Sequence, residues 1–493
     1  MELTGLLPAA GKGVRAYPNT ATVPKSMLEV DGVPNLQRNV ELLRDQLGIR
    51  DIRIVVGYQG DVIRRHFGDG ARFGVRIHYV VNDRLELELP YSVYLGTRDL
   101  TTPCCMILAD ECYVGSNHIG LPDAAAATDA EMLCGLIRAE YAKEIRKNYV
   151  VTLNGDRIVD LREKPVVVTD RLMGTGTYLL KPPLFRHLAA AFEPDVRQGP
   201  RDWTTWLASL ARSGTTVRPF YLTGKYVNIN SRDDLNLANA LVRENGFERR
   251  RTCLVYIVDN ETDAAVRPLT QYSAVADVDE VVAVSRRSWP ALESVAALPK
   301  VRLLIAPDAA APTGDLLRLG CDAASGNILI FSYGDDTFAP GDVSKFLVYL
   351  RDADLVIGTR TTRQLIEQGT NMRGIVRASH VLLAKLLQLV WWRFDYRFTD
   401  ICCVYRAMWR STWELIREQL TSPGVEVFPE TVIEVLRARG RIVEIPINYY
   451  NRDVQTDRVR SQYQNLQTFL RVVWLMLSKR VRDLGVGKPP AAS

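Results

Sequence analysis

The residues best suited to chemistry stand near the beginning of the chain, in the segment 8–15 with the sequence PAAGKGVR. Gly11 and Gly13 carry no side chain, so backbone N–H groups at this turn can face phosphate oxygens. Two cations follow: the guanidinium of Arg15 can grip two oxygens at once, and the ammonium of Lys25 acts as a point charge. A glycine turn with two cations predicts a polyphosphate-binding loop, although a turn with solvated cations would have the same composition.

This segment and the segment 24–32, PKSMLEVDG, resemble the signature of the sugar-phosphate nucleotidyltransferases. They are most similar to the branch that contains the phosphocholine cytidylyltransferases and the sugar-1-phosphate cytidylyl- and uridylyltransferases. The Walker P-loop does not match, because it requires Gly-Lys followed directly by Ser or Thr. The resemblance implies that the nucleotide binds along the turn, at Pro8, Ala9, Ala10, Gly11, Lys12 and Gly13.

The reaction implied by the resemblance is in-line attack of a phosphomonoester on the α-phosphorus of a nucleoside triphosphate, with release of pyrophosphate. Arg15 would neutralise the departing pyrophosphate, and Lys25 would neutralise the charge at the α-phosphate. Such catalysis depends on positioning and charge neutralisation, and it requires no nucleophilic side chain. On this resemblance CTP is the favoured nucleotide and UTP is the second choice.

A metal site is predicted at Asp110, which follows the apolar run 106–109 and precedes Glu111. A carboxylate at the end of a strand suits Mg²⁺, with Mn²⁺ as an alternative ion, although it can also cap a turn. In the resembled family the Asp at this place holds the catalytic Mg²⁺. The family's second metal ligand is often Asp, whereas this chain has Asn228 and Asn230, whose amide oxygens bind Mg²⁺ without charge.

Substrate contacts are assigned to three further residues by the same resemblance. Asn82 and Ser92 resemble the stretch that lines the base and substrate pockets in the cytidylyltransferase branch. Lys164 lies in the segment 162–165, REKP, which is similar to the family's Glu-Lys-Pro motif, where the Lys contacts the acceptor phosphate or the nucleotide. A solvated Glu-Lys pair is the plain alternative. Trp203 could stand beside a bound headgroup or pack in the core.

The elements that must position these residues follow from the alternation of short apolar runs with helical patterns. Strands are predicted at 52–57, 75–81 and 106–109, with helices between them. We therefore expect an α/β fold with mixed, mostly parallel sheets flanked by helices, and ligands at the carboxyl ends of the strands. A charged segment at 248–251, ERRR, interrupts the pattern, which restarts at 254–258.

The second series of elements resembles the inverting family 2 glycosyltransferases of the dolichol-phosphate mannose synthase type. The segment 327–342 resembles their metal-binding segment, in which Asp335 and Asp336 would hold the metal. Tyr333 stands where the first carboxylate of their Asp-x-Asp motif is expected, so the donor site is altered. The segment 373–389 resembles their acceptor-side helix, and the segment 399–406, TDICCVYR, resembles their Thr-Asp-x-x-Ser-Gly-Phe-Arg motif.

The roles implied for this second half concern a donor and an acceptor. Asp400 would take the acceptor's proton or steer the acceptor, and Arg406, Glu426 and Glu430 would belong to the donor or acceptor site. The chain would then be bifunctional: it would activate a phosphorylated small molecule and transfer the activated group to a lipid-linked or glycan acceptor. The alternative is a monofunctional nucleotidyltransferase that carries a degenerate module for binding or oligomerisation.

The domain boundaries predicted from these patterns give two consecutive Rossmann-like, GT-A-like domains. A nucleotidyltransferase domain is expected at 1–247 and a glycosyltransferase-like domain at 252–484. The remaining residues, 485–493, are rich in Gly, Pro and Ala and are expected to form a disordered tail.

The composition of the 493 residues limits the class of protein. A formal net charge of +5 argues against a nucleic-acid partner. The eight cysteines include no C-x-x-C pair, which argues against a disulfide framework or a zinc site and favours a reducing cytoplasm. The amphipathic segments 376–394 and 469–477 fit core packing or a helix lying on a membrane surface, so the inner face of the membrane is a second expected location. A homo-oligomer is also expected.

Overall fold

The computed structural model of the protein describes residues 2–11, 13, 23–168, 171–258, 265–334, 336–366, 372, 374–392, 396–450 and 462–485. The chain divides into two compact units, Met1–Asn245 and Gly246–Ser493. The predicted disordered tail lies outside the described residues, apart from its first residue, Gly485.

The first unit contains one large sheet, a short two-stranded sheet and a small hairpin, with helices packed around them. Its strands are β1 (Thr4–Pro8), β2 (Glu29–Val30), β3 (Val33–Pro34), β4 (Asp51–Val56), β5 (Arg76–Val81), β6 (Cys104–Ile107), β7 (Glu111–Val114), β8 (Met132–Arg138), β9 (Tyr149–Asn154), β10 (Arg157–Glu163), β11 (Leu172–Leu180), β12 (Val217–Tyr221) and β13 (Lys225–Asn228). Its helices are α1 (Asn35–Leu47), α2 (Gly60–Phe67), α3 (Glu88–Thr97), α4 (Leu121–Ala126), α5 (Ala142–Ile145), α6 (Pro182–Phe192), α7 (Trp203–Arg212) and α8 (Arg232–Asn245).

The strand order of the large sheet is β10-β9-β11-β6-β1-β4-β5, and β8 joins β11 to β12. Strand β1 lies between β4 and β6 and runs parallel to both. Strand β11 runs antiparallel to β6, so the half of the sheet beyond β6 is largely antiparallel. Because β1, β5 and β6 are parallel neighbours or next neighbours, their carboxyl ends meet at one edge of the sheet.

Helix α1 shows how the sequence pattern produces these layers. Leu36, Val40 and Leu43 recur at intervals of four and three residues, and all three are fully buried. The helix ends at Gly48, which has a φ of 66° and donates its N–H to the Arg44 carbonyl at 3.1 Å. A glycine is favoured there because it adopts the left-handed conformation without steric cost.

The second unit contains one sheet with the order β16-β15-β14-β17-β19-β18-β20. Its strands are β14 (Thr252–Val258), β15 (Glu280–Ser285), β16 (Val301–Ile305), β17 (Ile328–Tyr333), β18 (Leu355–Thr359), β19 (Arg406–Trp409) and β20 (Ile442–Pro446). Its helices are α9 (Arg267–Ser273), α10 (Pro290–Val295), α11 (Thr313–Ala323), α12 (Val343–Leu350), α13 (Gly374–Val390), α14 (Arg410–Ile416), α15 (Val427–Arg437) and α16 (Gln462–Gly485).

The centre of this sheet is buried on both faces. All seven residues of β14 are buried, and β14 runs parallel to both β15 and β17. A strand covered on both faces is typical of a parallel α/β sheet with helices on each side. The predicted fold class, two consecutive α/β sheets of mixed strands flanked by helices, is confirmed. Within the described part of the chain, no helix has the length and apolar character needed to cross a membrane.

Candidate active site

A cleft of about 540 Å³ lies in the first unit at the carboxyl ends of its parallel strands. It brings together residues that are far apart in the chain and that the sequence singled out. Those that line it are Pro8, Ala9, Ala10, Gly11, Gly13, Lys25, Asn82, Ser92, Asp110, Lys164, Asn228 and Asn230. Lys12 and Arg15 lie outside the described residues.

The turn after β1 is fixed to the neighbouring strand β4. The N–H of Ala9 donates to the Val55 carbonyl at 2.8 Å, and the N–H of Tyr58 donates to the Ala10 carbonyl at 3.1 Å. A Cβ at Gly11 would meet nothing within 4 Å, and Gly13 has a φ of 60°. The turn therefore leaves open space on its cleft side, as a phosphate-binding loop requires.

Lys25 lies at the centre of the charged part of the cleft. Its ammonium is 2.5 Å from Asp110 Oδ2 and 2.8 Å from Asn230 Oδ1. Asn230 Nδ2 donates in turn to Asn228 Oδ1 at 2.7 Å. The side chain of Lys25 is only 13% exposed, so this contact is shielded from solvent. One carboxylate and two amides thus cluster around one positive charge.

The same oxygens fit a divalent cation whose other ligands are phosphates. Among the described residues, no group of three or more His, Cys, Asp or Glu side chains is arranged to hold a metal ion. Magnesium, however, is commonly held by one or two carboxylates together with substrate phosphates. Asp110 and Asn230 already accept a cation, the Lys25 ammonium, between their oxygens. The donor set therefore suits Mg²⁺ in the presence of a bound triphosphate.

Two asparagines that the sequence did not single out hold the Asp110 turn in place. Asn35 Nδ2 donates to the carbonyls of Ala109, at 3.0 Å, and Glu111, at 2.9 Å. Asn39 Nδ2 donates to the same Glu111 carbonyl at 3.1 Å. Both side chains are buried on α1 four residues apart. The sequence signal that could have identified them is a pair of polar residues, at positions i and i+4, on an otherwise apolar helix face.

Asp234, at the start of α8, organises the other side of the cleft and was also missed. Its Oδ2 accepts the N–H groups of Asn230, at 3.1 Å, and Ser231, at 2.9 Å. Its Oδ1 accepts a hydrogen bond from Lys147 Nζ at 2.7 Å. Burial works against the charge, but the contacts with Lys147 and Ser231 lower the pKa of Asp234. The carboxylate thus fixes the backbone that carries Asn230 and keeps a lysine at the cleft wall.

Glu111, next to Asp110, is buried at the start of β7. Burial, with a smaller contribution from the Asp110 charge, raises the pKa of Glu111 to about 8. The Tyr113 hydroxyl donates to Glu111 Oε2 at 3.2 Å. At neutral pH this raised pKa favours the neutral, protonated form of Glu111.

Lys164 also lines the cleft, and its backbone conformation is strained. Lys164 has a φ of 45°, its N–H donates to the Asn148 carbonyl at 2.7 Å, and its ammonium pairs with Glu163. Non-glycine residues with positive φ are concentrated at functional sites. Burial and a hydrogen bond with Asp202 raise the pKa of Glu163. Burial opposes ionisation of Asp202 as well, but hydrogen bonds with Glu163 and Thr205 lower its pKa.

Three aromatic residues form another part of the cleft wall. Tyr149 and Tyr178 stack with ring centroids 6.4 Å apart, and Tyr178 meets Trp203 edge to face at 5.8 Å. All three line the cleft and are otherwise buried, so Trp203 belongs both to the wall and to the core. Such a wall can contact the apolar face of a sugar or another headgroup.

Asn82 and Ser92 lie at the cleft but bond to each other. Asn82 Nδ2 donates to Ser92 Oγ at 2.9 Å, and its Oδ1 accepts the Arg84 N–H at 2.9 Å. Asn82 is only 2% exposed. The pair shapes the loop after β5, and its expected contact with a base stays a prediction.

A second cavity, of about 770 Å³, lies in the second unit. Asp336 lines it and forms an ion pair with Arg267, while Asp335 lies outside the described residues. Asp342 also lines it and accepts hydrogen bonds from Lys345 Nζ, at 2.6 Å, and Asn448 Nδ2, at 2.9 Å. Each described carboxylate of the predicted metal segment is thus paired with a cation of the protein.

Asp400 does not line this cavity. Its side chain is fully buried, with Oδ2 at 2.7 Å from Arg360 Nε, Oδ1 at 3.0 Å from Arg360 Nη2, and His380 Nδ1 at 3.1 Å from Oδ1. Burial alone would raise the pKa of Asp400, but Arg360 and His380 lower it far below its usual range. Asp400 would have to lose its contact with Arg360 before it could take a proton from an acceptor. The observed ion pair therefore does not match the role of a base that the sequence predicted for Asp400.

The remaining residues predicted for the second site are also buried. Arg406 donates to the carbonyls of Cys403, at 2.9 Å, and Phe428, at 2.6 Å. Its buried guanidinium therefore stabilises the core and does not line a cleft. Glu430 accepts the Thr421 N–H at 2.9 Å and pairs with a lysine of α16. Glu426 is 8% exposed and lies 3.4 Å from an arginine of α16. Their expected ligand contacts stay predictions.

Comparison with known proteins concerns the first half of the chain. Residues 4–226 match the family model described as Nucleotidyl transferase. A UTP–glucose-1-phosphate uridylyltransferase of Haloferax volcanii is 28% identical over 237 residues, covering 48% of this chain and 95% of that protein. A glucose-1-phosphate thymidylyltransferase of Streptomyces griseus is 29% identical over 279 residues, covering 55% of this chain and 74% of that protein. The solved structure of UDP-glucose pyrophosphorylase complexed with UDP-glucose aligns with a TM-score of 0.42 and 22% identity, covering 50% of this chain and 99% of that chain. The family model and the two sequence relatives show that the N-terminal half of this chain is a nucleotidyltransferase domain with sugar-phosphate nucleotidyltransferase homologues.

Proposed function

We propose that the first unit transfers a nucleotidyl group from a pyrimidine nucleoside triphosphate to a sugar phosphate and releases pyrophosphate. The observation that carries this proposal is the cluster in which the Lys25 ammonium lies between Asp110 Oδ2 and Asn230 Oδ1, beside the glycine turn. A cation, a carboxylate and open backbone at one cleft are the parts that charge neutralisation at a triphosphate requires.

The proposed roles follow from the positions of the side chains. The turn at 8–13 binds the triphosphate through its backbone N–H groups, and Lys25 moves from Asp110 to the α-phosphate oxygens. Lys164, which also lines the cleft, holds the phosphate of the acceptor. Arg15 is assigned to the pyrophosphate by resemblance alone. When bound at Asp110 and the two asparagines, Mg²⁺ supplies further neutralisation of the phosphate oxygens.

The base and the sugar are the finer part of the proposal. The resemblance of the sequence favours CTP and then UTP, whereas the two relatives are named for uridylyl and thymidylyl transfer. All three bases are pyrimidines. Both relatives are named for glucose 1-phosphate, so a sugar 1-phosphate is the first acceptor to test.

The test is a measurement of pyrophosphate release by the full chain with CTP, UTP, dTTP, ATP and GTP in turn. Each nucleotide is combined with glucose 1-phosphate and, separately, with phosphocholine, and the products are identified by mass spectrometry. We expect equimolar pyrophosphate and nucleotide sugar with at least one pyrimidine nucleotide. Pyrophosphate release without a nucleotide-linked product, or no release with any pair, would contradict the proposal.

For the second unit we propose transfer of the activated group to a lipid-linked or glycan acceptor. The specific support is the cavity that contains Asp336 and Asp342, together with Arg267 and Lys345. Carboxylates and cations at one cavity suit a nucleotide-linked donor with a cation bound to its phosphates. The alternative is a monofunctional enzyme in which this cavity serves only binding or assembly.

Product transfer distinguishes these two possibilities. Labelled nucleotide sugar made by the first unit is incubated with the full chain and a lipid extract, and label in the lipid phase is measured for the natural chain and for Asp336→Asn. We expect transfer that the substitution reduces at least tenfold. Lys345→Gln serves as the second variant, because Lys345 pairs with Asp342 at the same cavity. Absence of transfer by the natural chain would favour the monofunctional alternative.

A further inference from the structure

Helix α13 presents apolar side chains to solvent on the side away from the core. Ile375, Leu382 and Leu389 are 87%, 51% and 55% exposed and recur every seven residues, so they form one stripe. The opposite side of the helix is also apolar, with Leu383 and Leu387 buried in the core. The helix is therefore hydrophobic on both faces, although the described residues of the chain cover only one of them.

Helix α16 has the same character and packs beside α13. Its outward stripe, at intervals of four, four, three and four residues, consists of Leu466, Leu470, Trp474, Leu477 and Val481. Its inward face buries Val472 and Met476. The buried Lys479 lies 2.8 Å from Glu430 and 2.7 Å from Glu434 of α15, so the orientation of the helix is fixed. The outward stripe is therefore a stable surface.

The two stripes together form what we call the α13–α16 face, defined by the three residues of α13 and the five of α16 named above. Eight large exposed apolar side chains on two adjacent helices exceed the scattered single residues that are normal on a protein surface. A helix that is apolar on all sides is stable when a second apolar environment covers the outer side. The face therefore points to a partner.

The charges around the face indicate which partner. Residues 374–392 contain no Asp or Glu, and residues 462–485 contain only Asp483, which pairs with Arg437 at 2.7 Å. Basic residues are more numerous on the same helices: Lys385 and Arg482 are exposed, and Arg471, which has 68% of its side chain exposed, lies 3.4 Å from Glu426 of α15's N-terminal cap. An apolar stripe edged by cations and lacking free acids is typical of a helix that lies in the interface of an anionic bilayer.

We propose that the α13–α16 face docks the protein on the surface of an anionic lipid bilayer, with both helices parallel to the membrane plane. The alternative occupant, the same face of a second copy, is less well matched. An isologous contact would place the cations of one copy against the identical cations of the other. An anionic bilayer would cover the apolar stripe and would also place negative headgroups beside the cations. This inference is independent of the reactions proposed above.

The test is vesicle flotation of the full chain with pure phosphatidylcholine vesicles and with vesicles that contain phosphatidylglycerol. We expect binding to the anionic vesicles that falls as the salt concentration rises. Leu470→Glu and Trp474→Glu should each weaken this binding at least tenfold, and Arg482→Glu should reduce the preference for the anionic vesicles. Val348→Glu is the matched control, because Val348 is 64% exposed on α12 of the same unit and lies off the face.

Several outcomes would overturn the proposal. One is no flotation with either vesicle, and another is equal flotation of the face variants and the natural chain. A third is a dimer in light scattering that Trp474→Glu dissociates while vesicle binding is absent, since a second copy would then cover the face. Circular dichroism melting of each variant, compared with Val348→Glu, ensures that a loss of binding is not a loss of folding.

Discussion

The ammonium of Lys25 lies 2.5 Å from a carboxylate oxygen of Asp110, although the two residues are 85 positions apart in the chain. The pair joins the segment after the glycine turn to the loop after β6. In this arrangement the lysine neutralises the carboxylate in a shielded part of the cleft. In the proposed reaction the two groups separate when a triphosphate binds with its cation, and each takes a new partner.

Replacement of Lys25 by methionine tests how much the lysine contributes to charge neutralisation at the triphosphate. We expect kcat/KM for the nucleoside triphosphate to fall about 10²- to 10³-fold, because removal of one positioned donor to developing phosphate charge has an effect of that order. Steady-state pyrophosphate release measures it. Lys143→Met is the control, since Lys143 does not line the cleft, and a similar loss there would show that the effect is not specific to the site.

Substitution of Asp234 by asparagine tests whether the backbone of Asn230 is positioned by this carboxylate. The change removes the charge that holds Lys147 and weakens the acceptance of two backbone N–H groups. We expect the Mg²⁺ concentration for half-maximal activity to rise and kcat to fall about tenfold, in keeping with the effect of groups that orient metal ligands. Titration of activity with Mg²⁺ measures both quantities.

Asp233→Asn is the matched control for this prediction, because Asp233 is the exposed neighbour on the same helix. It should leave the Mg²⁺ dependence unchanged. An unchanged Mg²⁺ dependence in Asp234→Asn as well would remove Asp234 from the positioning role.

Replacement of Asp400 by asparagine distinguishes a core ion pair from an acceptor-side base. The substitution leaves the guanidinium of Arg360, whose side chain is only 13% exposed, without its carboxylate, which should lower the free energy of unfolding by about 3–5 kcal/mol. Asp352→Asn breaks an exposed pair with Arg441 and should change it by less than about 1 kcal/mol. Urea denaturation of the two variants compares them. A stable Asp400→Asn protein that has lost only acceptor transfer would support the base instead.

The imidazole of His118 gives the first unit a predictable acid sensitivity. It is fully buried, 2.8 Å from Ser116 Oγ and 3.0 Å from Thr177 Oγ1, and burial lowers the pKa of His118 to about 4. In the unfolded chain, His118 takes up a proton near the usual histidine pKa of about 6.5, whereas in the folded chain it does so only near pH 4. The free energy of unfolding therefore falls as the pH is lowered from about 6.5 to about 4.

The expected size of this effect is about 2 kcal/mol of unfolding free energy lost between pH 7 and pH 5, from the linkage of the two pKa values. Urea unfolding of the natural chain and of His118→Gln at both pH values measures it. The variant should start from a lower stability and lose about 2 kcal/mol less on acidification. Equal losses in the two proteins would show that the imidazole is already protonated in the fold.

The sequence predicted the two α/β units and much of the first cleft because these depend on local patterns. Alternating apolar runs define the strands, and parallel strands bring Asp110 and the glycine turn to one edge whatever the details of packing. The antiparallel half of the first sheet was not predicted, because β8 to β11 carry no marker of strand direction. The Lys147–Asp234 pair, 87 positions apart, has no local signal at all.

The second unit shows what a sequence motif alone cannot predict. Asp400 and Arg406 were recognisable as members of a motif, but a motif does not reveal which of its polar residues face a ligand and which stabilise the core. The structure buries both, with Asp400 bound to Arg360 and Arg406 bound to backbone carbonyls. Their partners lie on other elements, so only the tertiary structure could separate the two kinds of residue.

The most direct measurement of the central claim is the rate of pyrophosphate release by the natural chain and by Asp110→Asn, at saturating glucose 1-phosphate, pyrimidine nucleoside triphosphate and Mg²⁺. The substitution preserves the shape of the side chain and removes the charge that pairs with Lys25. We expect a loss of at least about 10³-fold in kcat, with no change in melting temperature large enough to unfold the protein. A variant that releases pyrophosphate at the natural rate would contradict it.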